Sequence, residues 1–133
     1  MKKLIFILIL CCIPVMGKSV GLEDVMKAII QVESGGNPSV KSGCYVGILQ
    51  LSPIAVRECN KILGKRKYTY NDRYNPEKSK EMWWIIQKYH NPEENIEKAI
   101  RLWNGGPRYS KRKTERYYRK VLKTLNLNNN VNN

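Results

Sequence analysis

Apolar positions recur at helical spacing in five stretches of the chain, with prolines and glycines marking the breaks between them. Leu22, Val25, Met26, Ile29 and Ile30 share one helical face and predict a helix over 22–34, stopped by Gly35-Gly36. Ser52-Pro53 opens a second helix to about Leu63, with Gly64 as its stop. Asn75-Pro76-Glu77 opens a third through Met82, Trp83, Ile85, Ile86 and Tyr89. Asn91-Pro92-Glu93-Glu94 opens a fourth through Ile96, Ala99, Ile100 and Trp103, ended by Gly105-Gly106-Pro107. Thr114-Glu115 starts a fifth through Tyr117, Tyr118, Val121, Leu122 and Leu125. Between the first two, Asn37 to Gln50 has no helical period, and Cys44 to Leu49 reads as a short hairpin or loop. The pattern predicts a mainly α fold of about five helices, with a small hairpin or loop region after the first.

The two ends of the chain read differently. Met1-Lys2-Lys3, an apolar run from Leu4 to about Val15, and Gly17 follow the positive, hydrophobic, small-residue order of an export signal. The run is short for a membrane span, which takes roughly 20 apolar residues; a retained anchor is the other reading. Setting residues 1–17 aside leaves one domain over 18–125, a size that supports a single core. The Asn-rich end, 126–133, predicts a disordered tail. The expected location is the periplasm or the cell-wall exterior.

Charge narrows the partners only partly. The 133-residue chain carries a formal +13, and removing Lys2 and Lys3 with the signal leaves 13 − 2 = +11. An exported chain this basic accumulates on polyanions such as cell wall, anionic lipid or nucleic acid; a solvated basic face is the plainer reading. No cluster of His and Cys accompanies the lone His90, so no metal and no cofactor is expected, and His90 itself is read as structural or exposed. Cys44 and Cys59 lie in the exported part, where either a disulfide or two separate thiols is open to them. Trp83, Trp84 and Trp103 fall on or beside apolar faces and are assigned to the core. Tyr68, Tyr70 and Tyr74 belong to a basic, aromatic loop, where they either pack it down or line a groove.

One residue breaks the apolar pattern. Glu33 stands three positions after Ile30, four after Ile29 and seven after Met26, on the stripe the first helix buries. Burial disfavours its ionised form, and the negative end of the helix dipole acts in the same direction. A carboxyl with a raised pKa is what general acid catalysis near neutral pH requires. The alternative is a helix-end glutamate turned into solvent by the Gly-Gly break.

The segments around Glu33 resemble a known family. Glu33-Ser34-Gly35-Gly36-Asn37-Pro38 and Gly47-Ile48-Leu49-Gln50-Leu51-Ser52-Pro53 resemble the signature of lytic transglycosylases, in the goose-lysozyme-like superfamily. Ala99-Ile100-Arg101-Leu102-Trp103-Asn104-Gly105-Gly106-Pro107 is similar to the Ala-x-x-Tyr-Asn-x-Gly element of that family. Thr114-Glu115-Arg116-Tyr117 with Val121-Leu122 is similar to its closing Thr-x-x-Tyr helix. The elements stand in family order over about 22–123. Trp103 replaces the family's tyrosine, and Cys44 and Tyr45 replace the small residues before the Gly-Ile-Leu-Gln element.

The resemblance implies an α+β lysozyme-like fold and an enzyme that cuts the β-1,4 bond between N-acetylmuramic acid and N-acetylglucosamine in peptidoglycan. It implies Glu33 as the single acid and base, with a 1,6-anhydro product. Ser34, Gln50, Trp103, Asn104 and Tyr117 would then serve substrate binding, Tyr117 by reaching the carboxyl of Glu33. Glycosidases that use water generally need a second carboxylate. No Asp or Glu occurs from Ser34 to Arg57, although Asp72 and Glu77 follow later. The rival readings are a lysozyme-type hydrolase on the same fold and a non-catalytic basic module that binds wall or nucleic acid. The expected partner is peptidoglycan glycan, met by a monomer, with no specific nucleic acid. A secretion, conjugation or phage machine that needs the wall opened locally is the setting such a small domain suits.

Overall fold

A computed structural model of the protein describes residues 19–131, with side chains through residue 127. The export signal expected over 1–17 lies outside the described residues. The described residues form five α-helices: α1 (Leu22–Ser34), α2 (Pro53–Leu63), α3 (Pro76–His90), α4 (Ile96–Gly105) and α5 (Lys111–Val131). A two-stranded antiparallel hairpin, β1 (Lys41–Ser42) and β2 (Tyr45–Val46), follows α1, pairing Lys41 with Val46 and Ser42 with Tyr45. The fold is thus mainly α with a small β element, as expected.

Side-chain caps define the helix starts. Ser52 Oγ accepts from Ala55 N at 3.2 Å, Asn75 Oδ1 from Lys78 N at 3.0 Å, and Asn95 Oδ1 from Lys98 N at 2.8 Å. The third cap departs from expectation: α4 begins at Ile96, not at Pro92. The reason is an asparagine pair, in which buried Asn91 accepts from Asn95 N through Oδ1 and donates to Asn95 O, closing a turn over 91–95.

α5 is longer than expected at both ends. It begins at Lys111 and continues through the Asn-rich segment to Val131, so the disordered tail predicted from Asn126 is helical up to that residue. Asparagine is a weak helix former, but extending an existing helix needs no new nucleus. Val121 and Leu125 anchor the preceding turns in the core.

α1 packs against α4 and α5, and α2 packs against α3. Val25, Met26 and Ile29 of α1 meet Met82, Trp83 and Ile86 of α3, Ile100 of α4 and Val121 of α5 in one buried cluster. Arg101, 3% exposed, ties α4 to α5. Its guanidinium donates to Glu97, Glu115, Thr114 Oγ1 and Lys111 O at 2.7–3.0 Å and lies 4.3 Å from the Tyr118 ring centroid. These bonds fix the rotation of α5 just before Tyr117.

The basic, aromatic loop is a tether. Tyr68 is buried and donates to Glu81, whereas Tyr70 and Tyr74 sit exposed on a 3-10 turn over Tyr70–Tyr74. Arg73 from that turn donates to Cys44 O at 2.8 Å and Leu51 O at 3.0 Å, holding the hairpin and the loop after it against the 3-10 turn. Gly47 sits at φ +84, and a Cβ there would lie 2.0 Å from Arg73 O, so only glycine fits this crossing.

Cys44 and Cys59 do not pair. Cys44 is exposed at the hairpin turn, while Cys59 is buried with its thiol directed at Met82 O, 3.5 Å away. Burial, then the charge of Glu58, push the Cys59 thiol up to about 12. The two cysteines belong to different layers of the fold, which spacing in the sequence does not reveal.

Candidate active site

Glu33 occupies the last turn of α1. The helix ends because Gly35 adopts the left-handed conformation (φ 62) and returns its N–H to Gln31 O at 3.1 Å. Ser34 then directs the following chain: its hydroxyl donates to Ile48 O at 2.8 Å and accepts from Gly36 N at 3.1 Å. Ser34, expected beside the substrate, acts here as a brace between the end of α1 and the loop that carries Ile48. Its hydroxyl is spent on the backbone, and Ser34 does not line the groove beside Glu33.

The loop after β2 is folded by Gln50. This residue has φ +50, unusual for a side chain with a Cβ, and its amide donates to Val40 O at 3.0 Å and Gly47 O at 2.9 Å. Those bonds offset the local strain and keep Ile48 and Leu49 buried. Gln50 still lines the groove, with its amide nitrogen turned toward the loop.

The groove has a volume of about 510 Å³. Its lining includes Glu33 from α1, Gln50 from the loop after β2, Trp103 and Asn104 from α4, and Ile54, Glu58 and Ile86 from α2 and α3. Tyr45 and Ile54, at 51% and 66% exposure, are large apolar side chains left open at its rim. Solvent-exposed apolar groups facing a groove are where a sugar ring can stack.

Trp103 does more than replace a tyrosine. Its Nε1 donates to Leu49 O at 3.1 Å, linking α4 to the loop, and its ring packs 6.4 Å from that of Trp83. Asn104 is exposed at the end of α4. Gly105 follows because a Cβ there would fall 2.7 Å from Tyr109 Cβ and 2.8 Å from Thr114 Cγ2.

Tyr117 approaches from α5. Its hydroxyl donates to Glu33 Oε1 at 2.7 Å and does not itself line the groove. Burial raises the pKa of Glu33; the Tyr117 bond and the charge of Lys120 act against that rise without cancelling it. Burial and the neighbouring carboxylate also push Tyr117 upward, so its hydroxyl stays a donor. Glu33 is thereby half-buried, held by one oxygen, and biased toward its protonated form.

A family model described as the transglycosylase SLT domain matches residues 15–126. The chain belongs to this family. The SLT domain is a lytic transglycosylase catalytic domain, and its substrate is peptidoglycan. No curated protein and no solved structure matches the chain.

Glu58 is the SLT-domain groove residue that sequence reasoning missed. The acid-free stretch ends at Arg57, and the next residue lines the groove. Asp72 and Glu77 do not: Asp72 caps Thr69 and pairs with Lys78, and Glu77 pairs with Lys80. A signal was available, since Ile54 and Glu58 are four apart on α2, opposite buried Val56 and Cys59. His90, read as structural or exposed, is the partner of Glu58 across α2 and α3.

Proposed function

We propose that this SLT domain cleaves the β-1,4 bond between N-acetylmuramic acid and N-acetylglucosamine, with Glu33 serving in turn as acid and base. Protonated Glu33 gives its proton to the glycosidic oxygen as the bond from that oxygen to C1 breaks. The resulting carboxylate takes the proton of the muramyl C6 hydroxyl while that oxygen bonds to C1. The product is a 1,6-anhydro sugar, Glu33 is protonated again, and no water is consumed.

The observation that carries this reading is the bond from Tyr117 to Glu33 at the groove wall. Burial favours the protonated acid, while Tyr117 and Lys120 favour the carboxylate that forms midway. Trp103, Asn104, Tyr45 and Gln50 supply the sugar-facing surface. General acid catalysis of this kind contributes about 10²–10⁴-fold.

Hydrolysis is the second reading, favoured by one observation: Glu58 puts another carboxylate in the groove, where it could activate water. Mass spectrometry of digested murein separates the two. Anhydro-muropeptides support transglycosylation, and reducing ends carrying added water support hydrolysis. Glu33→Gln should abolish wall clearing; clearing that survives it removes Glu33 from the mechanism. The start of the chain supports export, and the mass of the protein recovered outside the cytoplasm would report cleavage near Gly17.

A further inference from the structure

The charge of the chain and the charge of its groove have opposite signs. The sequence carries a formal +13, yet no Lys, Arg or His lines the groove, and the charged groups among its lining residues are Glu33 and Glu58. Lys120 acts on Glu33 from α5 without lining the groove. Glu58 has no role in the proton transfers assigned to Glu33. Its Oε1 is engaged by His90 Nε2, and its side chain is 30% exposed. Among the described residues no group bonds its Oε2, and no lysine or arginine pairs with it.

That arrangement is an anchored carboxylate with one oxygen left for a ligand. His90, a cationic partner only when its imidazole is protonated, ties Glu58 to the end of α3 through Oε1, and no Lys or Arg lines the groove to pair with the carboxylate. Ile54 and Ala55 stand one turn before it on α2, and Ile86 of α3 lines the same groove, which gives the site apolar surroundings. An ammonium group brought there on a sugar ring gains an ion pair in a partly desolvated site. A neutral acetamide at the same ring position can only donate its N–H to the carboxylate, a weaker bond.

We propose that Glu58 is a specificity-determining residue of the groove and selects glycan strands carrying a free amine, namely N-deacetylated glucosamine units. The inference deepens the glycan-cleaving role given above and rests on it for the placement of the glycan in the groove. It adds a preference between two forms of the same polymer, set by one side chain on α2.

The test measures binding, so it does not depend on the reaction outcome. Short β-1,4-linked glucosamine oligomers and their fully N-acetylated counterparts of equal length are titrated against the protein at about pH 6, where amines of this kind are charged. The glucosamine oligomer should bind about fivefold more tightly, the scale of one partly exposed ion pair. Glu58→Gln should bring the two affinities together, and Glu58→Asp should keep the preference in the same direction. Raising the salt on the unsubstituted protein should also shrink the preference, because the pair is partly exposed. Equal or tighter binding of the acetylated oligomer by the unsubstituted protein overturns the proposal, as does a preference that survives Glu58→Gln or high salt. Should murein digestion give no muropeptides while the binding preference follows Glu58, the catalytic reading fails and this one stands.

Discussion

Tyr117 Oη stands 2.7 Å from Glu33 Oε1, joining α5 to the end of α1 across 84 positions of sequence. The bond has two opposed chemical effects. It orients the carboxyl and favours its ionised form, while burial favours the protonated one. The acid is poised because neither effect removes the other.

Tyr117→Phe should therefore lower kcat about tenfold or more, the scale of a hydrogen bond to a charged group. It should also move the alkaline limb of the pH–rate profile upward. Glu33 must be protonated to act, so activity falls as pH rises through its pKa, and losing the tyrosine leaves burial less opposed. A rate profile of wall clearing against pH reads both effects; a limb displaced downward contradicts this account.

Glu33→Gln should stabilise the fold, and increasingly so at higher pH. The folded-state pKa of Glu33 is raised above the ordinary value of 4.5. The stability tied to its protonated form is fully present below the unfolded pKa and is lost as pH rises through the folded one. Glutamine escapes that loss and still offers Tyr117 a carbonyl oxygen. Urea midpoints of the two proteins should diverge between acid and mildly alkaline pH, and a constant difference would show that burial of Glu33 has no energetic cost.

Trp103→Phe should keep the ring and lose the donor to Leu49 O. A buried carbonyl deprived of its partner costs about 1–3 kcal/mol. Thermal unfolding should move down accordingly, and KM for murein should rise because Trp103 lines the groove. A stable Phe variant with unchanged KM would make Trp103 ordinary core.

Gly47→Ala tests the crossing of the loop by the Arg73 backbone. The methyl would meet Arg73 O at 2.0 Å, at a φ of +84. Backbone strain alone costs about 1–3 kcal/mol, and the contact forces the loop away from the 3-10 turn that carries Arg73. Lower stability together with lost clearing is expected, since the same loop carries Gln50. Wild-type stability in this variant would mean that the loop is free to move.

Helix content was largely legible in the sequence, because each helix buries a stripe at its own period and stops at a break. Ser52-Pro53, Asn75-Pro76, Gly35 and Gly64 mark boundaries through local geometry alone, and they stand at those boundaries in the fold. The start of α4 was not legible, because Asn91 and Asn95 close a turn that resembles a proline-led helix start. Nor was the end of α5, where asparagine composition outweighed the helix that precedes it.

The candidate acid shows the same division. Glu33 could be singled out from a single stripe, since burial of a charge is visible wherever the helical period is visible. Its regulation could not: Tyr117 and Lys120 lie on another helix, and the sequence alone cannot say which face of α5 turns inward. Arg101 decides that rotation through Thr114 and Glu115. Glu58 was hidden for the same reason, being one acid among several until α2 packed against α3. The sequence by itself determined the helices, the breaks and the one carboxyl on an apolar face, because those are local properties of the chain. Tertiary structure alone decided which second carboxylate shares the groove, that Ser34 is a brace and that the cysteines stay apart, because each depends on how separate helices pack.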